Sequence, residues 1–218
     1  MTTIGLQLAE IKSLLPEGVT LVAVSKTHAP DKIREAYEAG QRVFGENRVQ
    51  ELVPKYEALP KDIEWHLIGH LQTNKVKYVA PFVSLIHSVD SEKLLGEINR
   101  QAEKCGRVID VLLQVFVAKE ETKFGFLPEE IAKLYATQGL TGYPHTRIRG
   151  LMAMATHTDN EQQIKDEFAS VAALFNAVRT QAGPAFDILS MGMSSDWRIA
   201  VEQGSNMVRI GSTLFGNR

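Results

Sequence analysis

Eight short apolar runs recur along the chain, each followed by a longer stretch with helical spacing. The runs are TLVAVSK (20–26), QRVFGEN (41–47), EWHLIGH (64–70), SLIHSVD (84–90), DVLLQVFV (110–117), RIRGLMAMA (147–155), FDILSMG (186–192) and NMVRIGSTLFG (206–216). Between them, segments such as SEKLLGEINRQAEKCG and NEQQIKDEFASVAALFNAVRTQAG place apolar residues three and four apart and close with Gly. Near-continuous apolar strands that alternate with amphipathic helices imply parallel pairing with both sheet faces covered. A count of eight favours a closed (β/α)8 TIM barrel, an α/β fold, with an open doubly wound sheet as the alternative, because periodicity does not reveal closure. The 218 residues allow about 27 per unit, slightly leaner than the ~250 residues typical of the barrel. No linker, low-complexity tract or repeat beyond the βα rhythm breaks the chain, so one domain over residues 1–218 is expected.

Lysine and arginine total 24 against 26 aspartates and glutamates, a formal net charge of −2. No face-wide pull on nucleic acid or anionic membrane follows from that balance. The single cysteine, Cys105, rules out an intramolecular disulfide and fits a reducing compartment. It lies in EKCGRV, which reads as a helix C-terminus and suggests no basic partner to activate the thiol. The N-terminal MTTIGLQLAEIKSLLPEG has an amphipathic period and an early acid, unlike the basic start and continuous apolar core of a signal peptide. Nowhere do about 18 apolar residues run together. A cytoplasmic monomer that binds neither nucleic acid nor membrane is expected.

In a barrel, loops after the C-terminal strand ends build the site, so polar residues there carry functional weight. Lys26 is at such an end; so are Glu46 and Asn47 after the second run, His66 and His70 around the third, Asp90 after the fourth, Met154, Thr156 and His157 after the sixth, and SMGMSSDW after the seventh. An arbitrary lysine at a strand end simply snorkels to water. At the mouth of an apolar barrel it is partly desolvated, which favours the neutral amine that Schiff-base chemistry needs. The carbonyl then belongs either to a substrate, as in an aldolase, or to pyridoxal 5′-phosphate (PLP). The two readings differ in whether the chain also supplies a phosphate cradle and a partner for a pyridine nitrogen.

SMGMSSDWRIAVEQG offers a cradle: Gly192 permits a tight turn, and Ser194 or Ser195 is placed to cap a helix beginning near Asp196, whose N-terminal N–H groups suit a phosphate. An ordinary capped helix without a ligand is the plainer reading of that segment alone. RIGSTLFG adds Gly211, with room for close backbone approach, and the hydroxyls of Ser212 and Thr213. Arg209 shares a strand face with Gly211, and alternation lets it point into the pocket or be buried in a structural pair. Facing the ring nitrogen of PLP, an always-protonated guanidinium donates and keeps that nitrogen unprotonated, which makes the ring a weak electron sink.

AVSKTHAP, FGENRVQE, WHLIGHLQTNK, IRGLMAMA, LSMGMSSDW and MVRIGSTLFG, spread from residue 23 to 216, closely resemble the signature segments of the PLP-binding homeostasis proteins, the YggS/PROSC family. The resemblance implies a barrel like the N-terminal domain of alanine racemase (PLP fold type III) with the cofactor held as a Schiff base on Lys26. It implies that Ser194, Ser195, Gly211 and Ser212 are phosphate-loop positions, that Arg209 faces the pyridine nitrogen, and that Asn47, His66, Asn74 and Met154 lie near the cofactor pocket. Lys123, in TKFGF, resembles a family lysine connected with cofactor handling. The implied role is intracellular PLP homeostasis, buffering the cofactor or delivering it to PLP-dependent apoenzymes, with effects on amino-acid and keto-acid balance and without established strong catalysis.

Rival readings are a weak PLP-dependent amino-acid racemase, a class I aldolase and a metal enzyme. Alanine racemases carry a second β-rich domain and a tyrosine as the opposite acid/base, so efficient racemisation is not expected of this chain. Six histidines invite a metal reading, but no HExxH, CxxC or carboxylate pair at ligand spacing accompanies His66 and His70, and no metal is expected. Neither GxGxxG nor GxxxxGK[ST] occurs, so nucleotide binding has no motif support.

Overall fold

The computed structural model describes residues 2–117, 124–137 and 140–216. Among these, the chain runs α1 (Thr3–Leu14), β1 (Thr20–Val24), α2 (Pro30–Glu38), β2 (Val43–Glu46), α3 (Val49–Ala58), β3 (Glu64–Leu67), a short 3-10 helix (Thr73–Lys75), α4 (Val76–Val79), β4 (Leu85–Val89), α5 (Glu92–Lys104), β5 (Ile109–Gln114), α6 (Pro128–Ala136), β6 (Thr146–Met152), α7 (Glu161–Ala182), β7 (Ile188–Met193), α8 (Trp197–Glu202), β8 (Met207–Ile210) and α9 (Ser212–Phe215). The eight strands form a closed barrel in sequence order. Closure is made by parallel pairing of β1 with β8, from Thr20 opposite Met207 to Ala23 opposite Ile210. All eight expected strands are present, and the closed barrel prevails over the open sheet.

The helices form for local reasons legible in the chain. Ser91 caps α5 by accepting a hydrogen bond from Leu94 N, and the face bearing Leu94, Leu95, Ile98 and Ala102 is buried. Asn160 caps α7 in the same way through Gln163 N, and Ile164, Phe168, Val171, Phe175 and Val178 line its inner stripe. Each such side chain contributes about 1.5–3 kcal/mol by leaving water. Cys105 is the C-cap residue of α5 and is exposed, as EKCGRV suggests. No described helix is long and apolar enough to cross a membrane.

Strands end earlier than their apolar runs. Ser25 and Lys26 lie beyond β1, Asn47 beyond β2 and His70 beyond β3, because the ladder stops where the chain turns outward to its helix. The largest difference is at β8, which stops at Ile210 while Ser212–Phe215 coil into α9 and pack against α1.

Two apolar layers result. The larger joins the outward strand faces to the helices and contains Phe44, Trp65, Phe168 and Phe186. The smaller is a plug inside the barrel made of Val22, Leu85, Leu112, Met152 and Met207, with Val43, Met154 and Ile188 against it. Because side chains alternate along a strand, the residues two positions on from these share the inward face.

Candidate functional site

Directly beyond the plug, the inward positions turn polar. His66, His87, Ser190 and Arg209, from β3, β4, β7 and β8, are all buried. Arg209 Nη1 donates to the Ser190 carbonyl at 2.9 Å and to Ser190 Oγ at 2.6 Å, and Nη2 donates to the Ala153 carbonyl at 2.9 Å. Ser190 Oγ lies 3.1 Å from His87 Nδ1, and His87 Nε2 lies 3.0 Å from His66 Nδ1. A guanidinium only donates, so the arrangement that leaves no hydroxyl proton unused has Ser190 donating to His87 Nδ1. His87 then carries its proton on Nε2 and donates to His66 Nδ1, and His66 keeps its own proton on Nε2.

Burial sets the charge of this chain of groups. It pushes His66 down to about 3 and His87 well below the ordinary histidine value, the latter with help from His66 and Arg209. Both rings are therefore neutral at physiological pH. Burial also lowers Arg209 to about 10, with the Asp196 carboxylate acting in the opposite sense, so the guanidinium stays charged near pH 7.

Lys26 is half-buried and lies in the turn two residues past Val24, the last residue of β1. Its neighbours are tightly held. Thr27 has a φ of 67°, a left-handed conformation that costs a β-branched residue about 1–3 kcal/mol. Thr27 N donates to Glu51 Oε2 at 2.7 Å, and His28 N donates to the Ser25 carbonyl at 3.1 Å. Behind the turn, between β2 and α3, Lys55 Nζ donates to Glu46 Oε1 at 2.6 Å and to the Ser25 carbonyl at 2.9 Å, while Ser25 Oγ donates to the same Glu46 oxygen at 2.6 Å. Burial pushes the Glu46 carboxyl up, and the Lys55 and Ser25 hydrogen bonds pull it back. Glu46 Oε2 is buried with no hydrogen-bond partner among the described residues.

The loops after β7 and β8 close on each other and on β1. Gly192 has φ 92°, and a β-carbon there would lie 2.7 Å from Ala200 Cβ and 2.8 Å from Trp197 Cα, so this turn needs glycine for both conformation and space. Ser194 Oγ accepts from Gly211 N at 3.3 Å, tying the two loops together. A β-carbon on Gly211 would come within 3.0 Å of the Val24 carbonyl oxygen, two residues before Lys26. Ser195 and Ser212 are exposed beside them. The capping expectation is corrected here: Asp196, not Ser194 or Ser195, precedes α8 at the cap position, and its Oδ1 accepts from Met193 N at 2.6 Å. Ser194 is drawn away from the helix by its bond to Gly211.

A lysine, two hydroxyl-bearing loops and a buried guanidinium thus meet at one end of the barrel. Arg209 is in register with Val22, one strand over from Lys26 and deeper in the barrel. Such a set suits an anionic ligand that carries a carbonyl group. A family model for the alanine racemase N-terminal domain matches residues 4–218. The pyridoxal phosphate homeostasis protein of Aquifex aeolicus (strain VF5) is 44% identical over 199 residues, covering 91% of this chain and 86% of the relative. The chain belongs to the pyridoxal phosphate homeostasis protein family.

Another homeostasis protein, from Synechocystis sp., is 39% identical and covers 96% of both chains. The solved structure of PipY from Synechococcus elongatus PCC7942 with PLP bound is similar at a TM-score of 0.87 and 41% identity, covering 98% of this chain and 100% of that one. Alanine racemase of Clostridium difficile 630, at 16% identity and a TM-score of 0.79, shares the fold over 99% of this chain and 60% of its own.

In this homeostasis-family chain, the residues singled out by sequence fall into distinct places. Lys26, Ser194, Ser195, Gly211 and Ser212 gather at the rim, and Arg209 and His66 lie in the buried polar layer. Met154 packs on the barrel plug. Asn47 lines a cleft of about 420 Å³ with Glu51, His70 and Lys75, and Gly69 lies so close to the Asn47 backbone that a β-carbon would sit 2.4 Å from its carbonyl oxygen. Asn74 is exposed in the 3-10 helix. His70 is not beside His66: it is exposed, 3.0 Å from Asp90 and stacked on Phe124 at 4.1 Å. Lys123 lies outside the described residues. Sequence reasoning missed His87, Ser190, Glu51 and Lys55. A histidine inside the apolar run SLIHSVD, and a lysine three residues after Leu52 on the buried stripe of α3, were the signals available.

Proposed function

We propose that this chain binds pyridoxal 5′-phosphate as a Schiff base on Lys26, within one barrel domain over residues 1–218, and serves intracellular PLP homeostasis by buffering the cofactor or delivering it to PLP-dependent apoenzymes. The observation that carries the reading is the close approach of Gly211, in the loop after β8, to Val24 at the end of β1, two residues before Lys26. The family's name and the PLP-bound PipY structure support the choice of ligand. When bound, the cofactor supplies an aldehyde that condenses with a primary amine and releases water. Lys26 provides that amine. Ser194, Ser195, Gly211 and Ser212 hold the phosphate, with Asn47 and Met154 at the flanks of the pocket. Arg209, kept cationic and held by three hydrogen bonds to Ser190 and Ala153, is a hydrogen-bond donor toward the pyridine nitrogen and leaves it unprotonated, a ring state that suits storage better than turnover. His66 supports Arg209 through His87 and Ser190. The protein acts as a cytoplasmic monomer in this reading, and effects on amino-acid and keto-acid balance follow from cofactor supply.

The test is an absorption spectrum of the PLP-loaded protein before and after borohydride, followed by peptide mapping. A visible band that disappears on reduction, with the label on Lys26, is expected, and Lys26→Ala should remove it. A label on another lysine would overturn the attachment point. Delivery is tested by mixing loaded protein with a PLP-requiring apoenzyme; activation no faster than release into buffer would argue against direct transfer.

A further inference from the structure

Lys26 is bracketed by two residues whose backbones are tied to charged groups of α3. On one side, the Ser25 carbonyl accepts from Lys55 Nζ at 2.9 Å. On the other, Thr27 N donates to Glu51 Oε2 at 2.7 Å, and that same oxygen stands 3.8 Å from Lys55 Nζ. Lys55 is anchored in turn by Glu46, which is fully buried and also accepts from Ser25 Oγ. Removing charges from water is costly, and buried ion pairs are often no better for stability than apolar residues of the same size, so a role other than stability is the natural one for this cluster. What it holds is specific: the threonine next to Lys26 sits at φ 67°, where threonine does not go unless the surroundings hold it there.

The geometry points to Glu51 and Lys55 as positioning residues for Lys26: together they clamp residues 25–27 in the left-handed turn that keeps the lysine amine on the inward side of the barrel mouth. The inference rests on Lys26 being the attachment point for PLP and goes beyond it by naming the residues that keep the amine in place. Without the Glu51 carboxylate, Thr27 relaxes to an ordinary negative φ and the turn redirects Lys26. Gln at 51 retains an oxygen acceptor for Thr27 N, while Leu does not. Glycine at 27 adopts positive φ at no steric cost, so it makes the clamp dispensable.

Wild type, Glu51→Gln, Glu51→Leu, Thr27→Gly and the double variant Glu51→Leu/Thr27→Gly are mixed with PLP. The rate at which the visible lysine-bound band forms is followed, and borohydride-trapped label on Lys26 is quantified by peptide mass. Glu51→Leu should slow attachment about tenfold and spread label to other lysines, whereas Glu51→Gln should stay near wild type. Thr27→Gly should restore most of the rate and selectivity to Glu51→Leu. A Glu51→Leu protein indistinguishable from wild type overturns the clamp, and so does a defect that Thr27→Gly fails to repair, which marks general damage. Absence of any label on Lys26 in the wild type is a different failure, that of the PLP attachment itself.

Discussion

The carbonyl oxygen of Val24 lies 3.0 Å from the point a β-carbon on Gly211 would occupy, and Val24 Cβ lies 3.2 Å from it. Gly211 has φ −125° and ψ −70°, outside the left-handed region, and the space for a side chain there is taken up by Val24. The loop that follows β8 rests so close to the end of β1 that any side chain at position 211 would crowd the Val24 backbone.

Gly211→Val should therefore push the β8 loop off β1 and separate Ser194 and Ser212 from the Lys26 turn. We expect affinity for PLP to fall about tenfold or more, with a stability loss of about 1–3 kcal/mol from overpacking. Equilibrium titration of the visible band, alongside urea unfolding, checks both. Affinity equal to wild type would show that the two loops do not act on one ligand.

His66 and His87 give the fold a dependence on acid. Their ordinary value is 6.5, and burial lowers His66 to about 3 and His87 well below normal. Between those values the unfolded chain binds protons that the native chain does not, so stability is full above about pH 6.5 and falls as pH falls. The slope approaches about 1.4 kcal/mol per pH unit for each histidine in the middle of that window. In His66→Asn, Oδ1 can still accept from His87 Nε2, so the fold is kept while one histidine's share of the slope disappears. Urea unfolding at a series of pH values from neutral to mildly acidic reads this directly; an unchanged slope would mean that His66 is not neutral in the native state.

The Lys55–Glu46 pair, 2.6 Å apart and buried, makes a third prediction. Lys55→Met leaves the Glu46 carboxylate buried without its counterion and should cost about 3 kcal/mol or more, whereas Lys55→Met with Glu46→Leu should recover most of that loss. A denaturant double-mutant cycle measures the coupling. Additive losses would place the two charges in separate environments.

Much of this architecture was legible in the residues. Eight apolar runs named eight strands because a parallel strand buried on both faces has nowhere for polar residues except its ends, and those ends identified Lys26, Ser194 and Gly211 as rim positions. Exact ends escaped: STLFG reads as strand by composition, yet Ser212–Phe215 turns into a helix against α1, a tertiary contact no local pattern reports. The polar layer was harder still. Arg209 and His66 were noticed singly, but a hydrogen-bonded line through His87 and Ser190 joins residues more than a hundred positions apart, and only barrel closure brings them together. Lys55 was hidden for a different reason, since a lysine on a helix reads as solvated until the helix is docked on Glu46.

Because the last strand is the one that seals the cylinder against the first, the end of β1 at Val24, two residues before Lys26, meets the Gly211 loop only after β8 has docked. A chain whose β8 is undocked therefore presents Lys26 without the Gly211 loop near it. In the proposed reading, capture of PLP is thereby coupled to closure of the barrel.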